Sequence, residues 1–112
     1  MEGWIKKMAK IYDITSKLDI EKPIIKLGGK DFEVNDNHKL VILIQNKIST
    51  LKDEEAFSFV FEKLLGKEAA KEIENMNLSF KNIKIVFLAV MAAASGEELE
   101  VVEERFQKQI NK

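Results

Sequence analysis

With 112 residues, the chain is long enough for one domain built around a single hydrophobic core. The absence of cysteine excludes disulfide bonds, thiolate metal sites and cysteine nucleophiles. The 18 basic and 19 acidic residues leave a net charge of −1, which gives no overall attraction to nucleic acid or to an anionic membrane. We therefore expect a single domain, residues 1–112, whose partners include neither nucleic acid nor membrane.

The N-terminal segment, residues 1–19, is predicted to form a short helix between about Glu2 and Asp13. Its apolar residues recur at helical spacing with lysines between them: Trp4, Ile5, Met8, Ile11 and Tyr12. Trp4 and Tyr12 either pack on the core or form an exposed contact for another protein, and the spacing leaves both interpretations open.

A β-hairpin is predicted for residues 23–34, where two strand-like runs flank Gly28-Gly29. Glycines accept the positive φ angles of a two-residue turn. That turn predicts a register that pairs Leu27 with Lys30, Lys26 with Asp31, Ile25 with Phe32, and Ile24 with Glu33. A lone hairpin is marginal in water, so we expect it to lie on helices or to pair with a neighbouring chain.

The next apolar stretch fits two structures. Helical spacing connects Leu40, Leu43, Ile44, Ile48 and Leu51. The continuous run Leu40–Ile44 also fits a third strand. We favour a helix because the spacing continues as far as Leu51, beyond the length of a typical strand.

Residues 54–65 are predicted to form the next helix. Its apolar face contains Phe57, Phe61, Leu64 and Leu65. We expect Asp53 to cap the free amides at the start and Gly66 to end the helix in a left-handed conformation.

Three more helices complete the predicted body. A short one covers residues 67–76, and a strongly apolar one begins after Ser79 as its N-cap. We expect the apolar helix to be buried on most sides, with Phe80, Ile83, Phe87, Val90, Met91 and Ala94 on one face. Its end, residues 92–94, either allows another backbone to approach closely or simply contains good helix formers.

The final helix is amphipathic, with Leu99, Val102, Phe106 and Ile110 on one side. Together these elements predict an α+β, mostly helical fold: one N-terminal β-hairpin followed by a bundle of about four to five helices, with the helical body at residues 38–110.

No catalytic or cofactor-binding pattern is present. His38 is the single histidine and has no cysteine beside it, so we expect neither a metal site nor a serine–histidine pair. Gly28-Gly29 lacks the glycine spacing of a phosphate loop. We therefore expect no enzyme, no cofactor and no metal. The candidate functional residues are apolar ones that would contact a partner protein: Trp4, Ile24, Met91, Phe106 and Ile110.

The apolar runs of the chain are short. Its first residues lead into no apolar stretch of signal-peptide length, and the longest run, residues 85–94, is too short to span a bilayer. We therefore expect a cytoplasmic protein.

Several segments resemble a known family. The hairpin sequence LGGKDFEVND precedes KLLGKEAAKEIE at residues 63–74, MNLSF at 76–80, VMAA at 90–93 and GEE at 96–98. This arrangement resembles the tail assembly chaperones of phages and prophages of Gram-positive bacteria, in which a hairpin precedes a helical body. The likeness covers about residues 27–106, and residues 4–19 match no such pattern.

The resemblance implies a non-enzymatic cytoplasmic protein that binds the long, aggregation-prone tape measure protein. Such a protein keeps its client soluble, helps the tail-tube protein polymerise around it, and is absent from the mature virion. The residues also suit a small dimeric regulatory or adaptor domain, in which residues 106–110 or 92–94 form a two-fold interface. A homo-oligomer therefore stays open.

Overall fold

The computed structural model describes the backbone of residues 10–110 and the side chains as far as Arg105. After a 3-10 helix at Thr15–Lys17 come strands β1 (Ile24–Leu27) and β2 (Lys30–Glu33) and helices α1 (His38–Ile48), α2 (Asp53–Leu65), α3 (Lys67–Asn75), α4 (Phe80–Ser95) and α5 (Leu99–Ile110). The prediction of an α+β, mostly helical fold with an N-terminal hairpin is confirmed.

The hairpin has the predicted register, from Ile24 opposite Glu33 to Leu27 opposite Lys30. Its turn uses the conformational freedom of glycine, because φ is 61° at Gly28 and 79° at Gly29. One face of the hairpin contributes to the core through Phe32 and, just beyond β2, Val34.

Two contacts hold the hairpin on the helical body. The Asn35 amide donates to the Leu64 carbonyl oxygen at the end of α2, at 2.8 Å. At the other end, the Lys30 ammonium lies 3.2 Å from a carboxylate oxygen of Glu72 in α3. Strand β2 therefore lies beside α2 and α3.

The ambiguous run Leu40–Ile44 is helical, within α1. The Asn37 side chain caps this helix by accepting from the amides of Lys39 and Leu40, at 3.0 and 3.4 Å. The helix ends at Ile48, before the predicted Leu51, because the chain turns at Thr50, whose amide donates to the Lys47 carbonyl.

The start of α2 differs from the prediction. Asp53 is the first helical residue and Lys52 is the cap, so Asp53 lies too far inside the helix to cap it. The carboxylate of Glu55 accepts instead from the Lys52 amide, at 3.3 Å. The negative charges of the first turn still interact favourably with the positive end of the helix dipole.

Gly66 ends α2 and begins α3 in one residue. Its φ of 97° is positive as predicted, but its ψ of 159° is extended rather than left-handed helical. The Gly66 amide donates to Glu62 in α2, and the Gly66 carbonyl accepts from Ala70 in α3. The two helices are therefore joined without a linker.

The core is centred on α4, as predicted. Its buried residues are Val86, Phe87, Leu88, Val90, Ala92 and Ala94. The prediction that Phe80 is buried with them is wrong, since 59% of that residue is exposed. Phe80 is the first residue of α4, which the Ser79 hydroxyl caps, and its ring lies beside the half-buried Phe57, with centroids 6.0 Å apart.

The described part of the N-terminal segment contains no α-helix. Residues 10–14 are irregular, so the predicted helix does not extend to Asp13, and its earlier part lies outside the described residues. The Asp13 side chain accepts from the Thr15 amide at 3.1 Å, which favours a tight turn over a helix. Every residue from Lys10 to Lys22 is exposed.

Two isoleucines on α1 test the core assignment. Ile44 has no exposed surface, whereas 52% of Ile42 is exposed. We expect Ile44→Ala to lower the free energy of unfolding by about 2–5 kcal/mol, because it leaves a cavity. We expect Ile42→Ala to change it by about 0.5 kcal/mol or less. Urea unfolding measures both, and equal effects would contradict the assignment.

Candidate partner-binding surfaces

An apolar groove of about 360 Å³ opens between α1, α2, α4 and α5. We call it the apolar groove, and its apolar residues are Ile48, Leu51, Ala56, Phe57, Phe87, Leu88, Met91 and Val102. No single element forms this surface, because four helices and the loop residue Leu51 all contribute apolar side chains. It is open to solvent although it continues directly from the packed core.

The apolar groove combines an aromatic side chain held by packing, Phe57, with a flexible one, Met91. The Phe57 ring packs against Phe87, with centroids 4.9 Å apart and planes tilted by 55°, a favoured aromatic arrangement. Met91 is half-buried and has a flexible thioether that adjusts to different apolar shapes. This combination suits apolar contact with a side chain from another protein.

An ion pair lies at the rim. Arg105 of α5 donates through both terminal nitrogens to the carboxylate of Glu97, and the Nη1–Oε1 distance is 3.1 Å. This bidentate contact lowers the pKa of Glu97 below the ordinary value of a glutamate and raises the pKa of Arg105. The two charges satisfy each other, so the rim offers no unpaired charge at this point.

A second, larger groove of about 620 Å³ lies between α2, α3 and α4. Its rim contains charges of both signs, from Glu54, Glu62, Lys67, Lys71 and Glu74. The hydration of these groups must be lost before a ligand fills the groove. The second groove is therefore the weaker candidate for an apolar partner.

The structure does not assemble the predicted contact residues into one site. Met91 lines the apolar groove, and Ile24 is 53% exposed on the outward face of β1. Phe106 and Ile110 belong to α5, but their side chains, like all of Trp4, lie outside what the structure describes. Sequence reasoning missed Leu51 and Leu88 as surface-lining residues, because their apolar character looks the same in a core and in a groove.

Among the side chains that the structure describes, residues 10–105, no group of three or more His, Asp or Glu residues is placed to hold a metal ion, and no polar side chain is buried. None of the helices described there combines the length and apolar character needed to cross a membrane. No family model, curated protein or solved structure matches the chain.

The Glu97–Arg105 pair predicts a dependence on pH. Because the pKa of Glu97 is lowered in the folded chain, the pair stabilises the fold above the ordinary glutamate pKa of about 4.3 and loses this effect as pH falls below it. We expect Glu97→Gln to be slightly less stable than wild type at pH 7 and equal to it at pH 2.

Urea unfolding at both pH values, with an NMR titration of the Glu97 carboxyl, measures this effect. Glu104→Gln is the matched control, because Glu104 is an exposed glutamate of α5 with no ion pair among the described side chains. An unshifted Glu97 titration would contradict the assignment.

Proposed function

We propose that this chain is a non-enzymatic phage tail assembly chaperone that binds the tape measure protein and keeps it soluble during tail assembly. The observation that carries the proposal is the apolar groove, a solvent-exposed continuation of the core on which Met91 lies. The resemblance of residues 27–106 to the tail assembly chaperones of Gram-positive phages supplies the identity of the client.

The apolar groove suits one face of an amphipathic helix. Such a helix presents apolar side chains at positions i, i+3, i+4 and i+7, which enter a groove between packed helices. Phe57 and Leu88 provide shaped apolar walls, and the thioether of Met91 adjusts to clients whose sequences vary. A long protein with many similar helical segments needs this tolerance.

The same proposal extends to the other components. In the family that the chain resembles, the tail-tube protein polymerises around the chaperone-bound tape measure protein, and the chaperone is absent from the mature virion. We assign this chain the same step in the cytoplasm of the host cell.

Co-expression of the full chain with fragments of a candidate tape measure protein tests the proposal. We expect soluble fragment to increase with the wild-type chain and to fall to the level without the chain for Met91→Glu, because a carboxylate in the apolar groove must be desolvated on binding. Met76→Glu is the matched control, since Met76 is also half-buried but does not line this groove.

Thermal unfolding of both variants shows whether they remain folded. Fragment solubility that does not rise with the wild-type chain would overturn the client assignment. If solubility is unchanged and the chain forms a tight dimer that Met91→Glu dissociates, the adaptor alternative replaces the chaperone.

A further inference from the structure

Residues 12–21 alternate in a strand pattern although they form no strand in the single chain. From Asp13 to Glu21 every odd-numbered residue is polar or charged, and the even positions from Tyr12 to Ile20 are apolar except Ser16. A period of two is the pattern of a strand with one buried face. Yet Leu18 is 59% exposed and Ile20 is 91% exposed.

Strand β1 has a free edge that such a segment fits. The Val34 amide donates to the Pro23 carbonyl at 2.9 Å, so this pair is hydrogen-bonded. Alternation along the antiparallel ladder then directs the amides and carbonyls of Ile24 and Lys26 away from β2. Among the described residues, none donates to or accepts from these groups.

The side chains next to this edge match the segment. On the core side of β1, Ile25 and Leu27 are only half-buried, so an added apolar face would complete their burial. On the outward side, Lys26 is basic, whereas the outward residues of β2 are acidic, Asp31 and Glu33. The acidic positions of the segment, such as Asp19, therefore favour β1 over β2.

We propose that residues 18–21 of one copy of this chain add as an antiparallel strand to the β1 edge of a second copy, and that the exchange is reciprocal. In the register that satisfies both faces, Leu18 pairs with Leu27, Asp19 with Lys26 and Ile20 with Ile25 of the other copy. The hydrogen-bonded positions are then Lys26 and Ile24, whose outward backbone groups have no partner in the described part of the chain. The result is a two-fold dimer with one sheet across both copies.

Pairing of the segment with its own β1 is disfavoured by the short connection. In the same register, the turn within one chain would consist of Lys22 and Pro23 and would need a positive φ at Lys22, which is not glycine. Moving the segment by two residues would place Lys17 opposite Lys26, a pair of like charges. A second copy has neither restriction.

In the single chain, local turns at Asp13 and Asp19 compete with an extended conformation of this segment. The Asp19 side chain accepts from the Glu21 amide at 3.1 Å, as Asp13 does from Thr15. These turns compete with strand formation, so the strand forms when the second copy supplies the hydrogen bonds. Glu21, Lys22 and Pro23 then act as the hinge of the exchange.

Sedimentation equilibrium of the full chain over a range of concentrations tests the proposal. We expect a reversible monomer–dimer equilibrium, and Ile20→Asp should raise the dissociation constant about tenfold or more. Ile14→Asp is the matched control, because Ile14 is also exposed and adds the same charge but lies outside the paired register.

A charge reversal tests the register. Because Lys26 also lies opposite Asp31 of β2, the reversal includes that residue. We expect Asp19→Lys to weaken the dimer and the triple variant Asp19→Lys, Lys26→Asp, Asp31→Lys to restore it. Amide hydrogen exchange should show protection of Ile24 and Lys26 that increases with protein concentration.

Three results would overturn the proposal: a monomer at every concentration, a dimer that Ile20→Asp leaves unchanged, or amide protection that is independent of concentration. The third result would indicate pairing within one chain. Circular dichroism of each variant establishes that the fold is retained, and none of these measurements depends on a client.

Discussion

Helix α4 is apolar around most of its circumference, and this one property sets the arrangement of the other elements. Strand β1 and helices α2 and α5 all pack on it. Burying one large aliphatic or aromatic side chain contributes about 1.5–3 kcal/mol, so α4 supplies much of the stabilisation of the fold. Small residues at its end, Ala92 and Ala94, are buried, and α5 follows the tight turn at Gly96.

The cover around α4 is incomplete near Met91, and the apolar groove is the gap that remains. A groove formed in this way exposes apolar side chains that continue from the core. That is the physical reason to treat it as a binding surface for apolar side chains, which gain burial there beside a rim whose Glu97 and Arg105 charges are already paired. The client that we propose is taken from the family resemblance, whereas the proposed chemistry of contact rests on Phe57, Leu88 and Met91.

Local rules predicted most of the fold. The hairpin register was predicted from its two-residue turn, and α1 was predicted from helical spacing that continues beyond the length of a typical strand. Two predictions were wrong at the starts of helices. The carboxylate of Glu55 rather than that of Asp53 accepts the hydrogen bond at the start of α2, and Phe80, as the first residue of α4, is exposed. The apolar groove could not be predicted, because its residues come from four helices and the loops between them, whose packing depends on contacts distant in the sequence.

Gly66 connects two helices that share no loop, and this has a mechanical consequence. The angle between α2 and α3 depends on one pair of backbone torsions, φ 97° and ψ 159°, in a region that residues with a side chain rarely occupy. Both helices line the larger, charged groove. The width of that groove therefore depends on torsions that only glycine readily adopts, so a side chain at position 66 would strain the junction between the two helices.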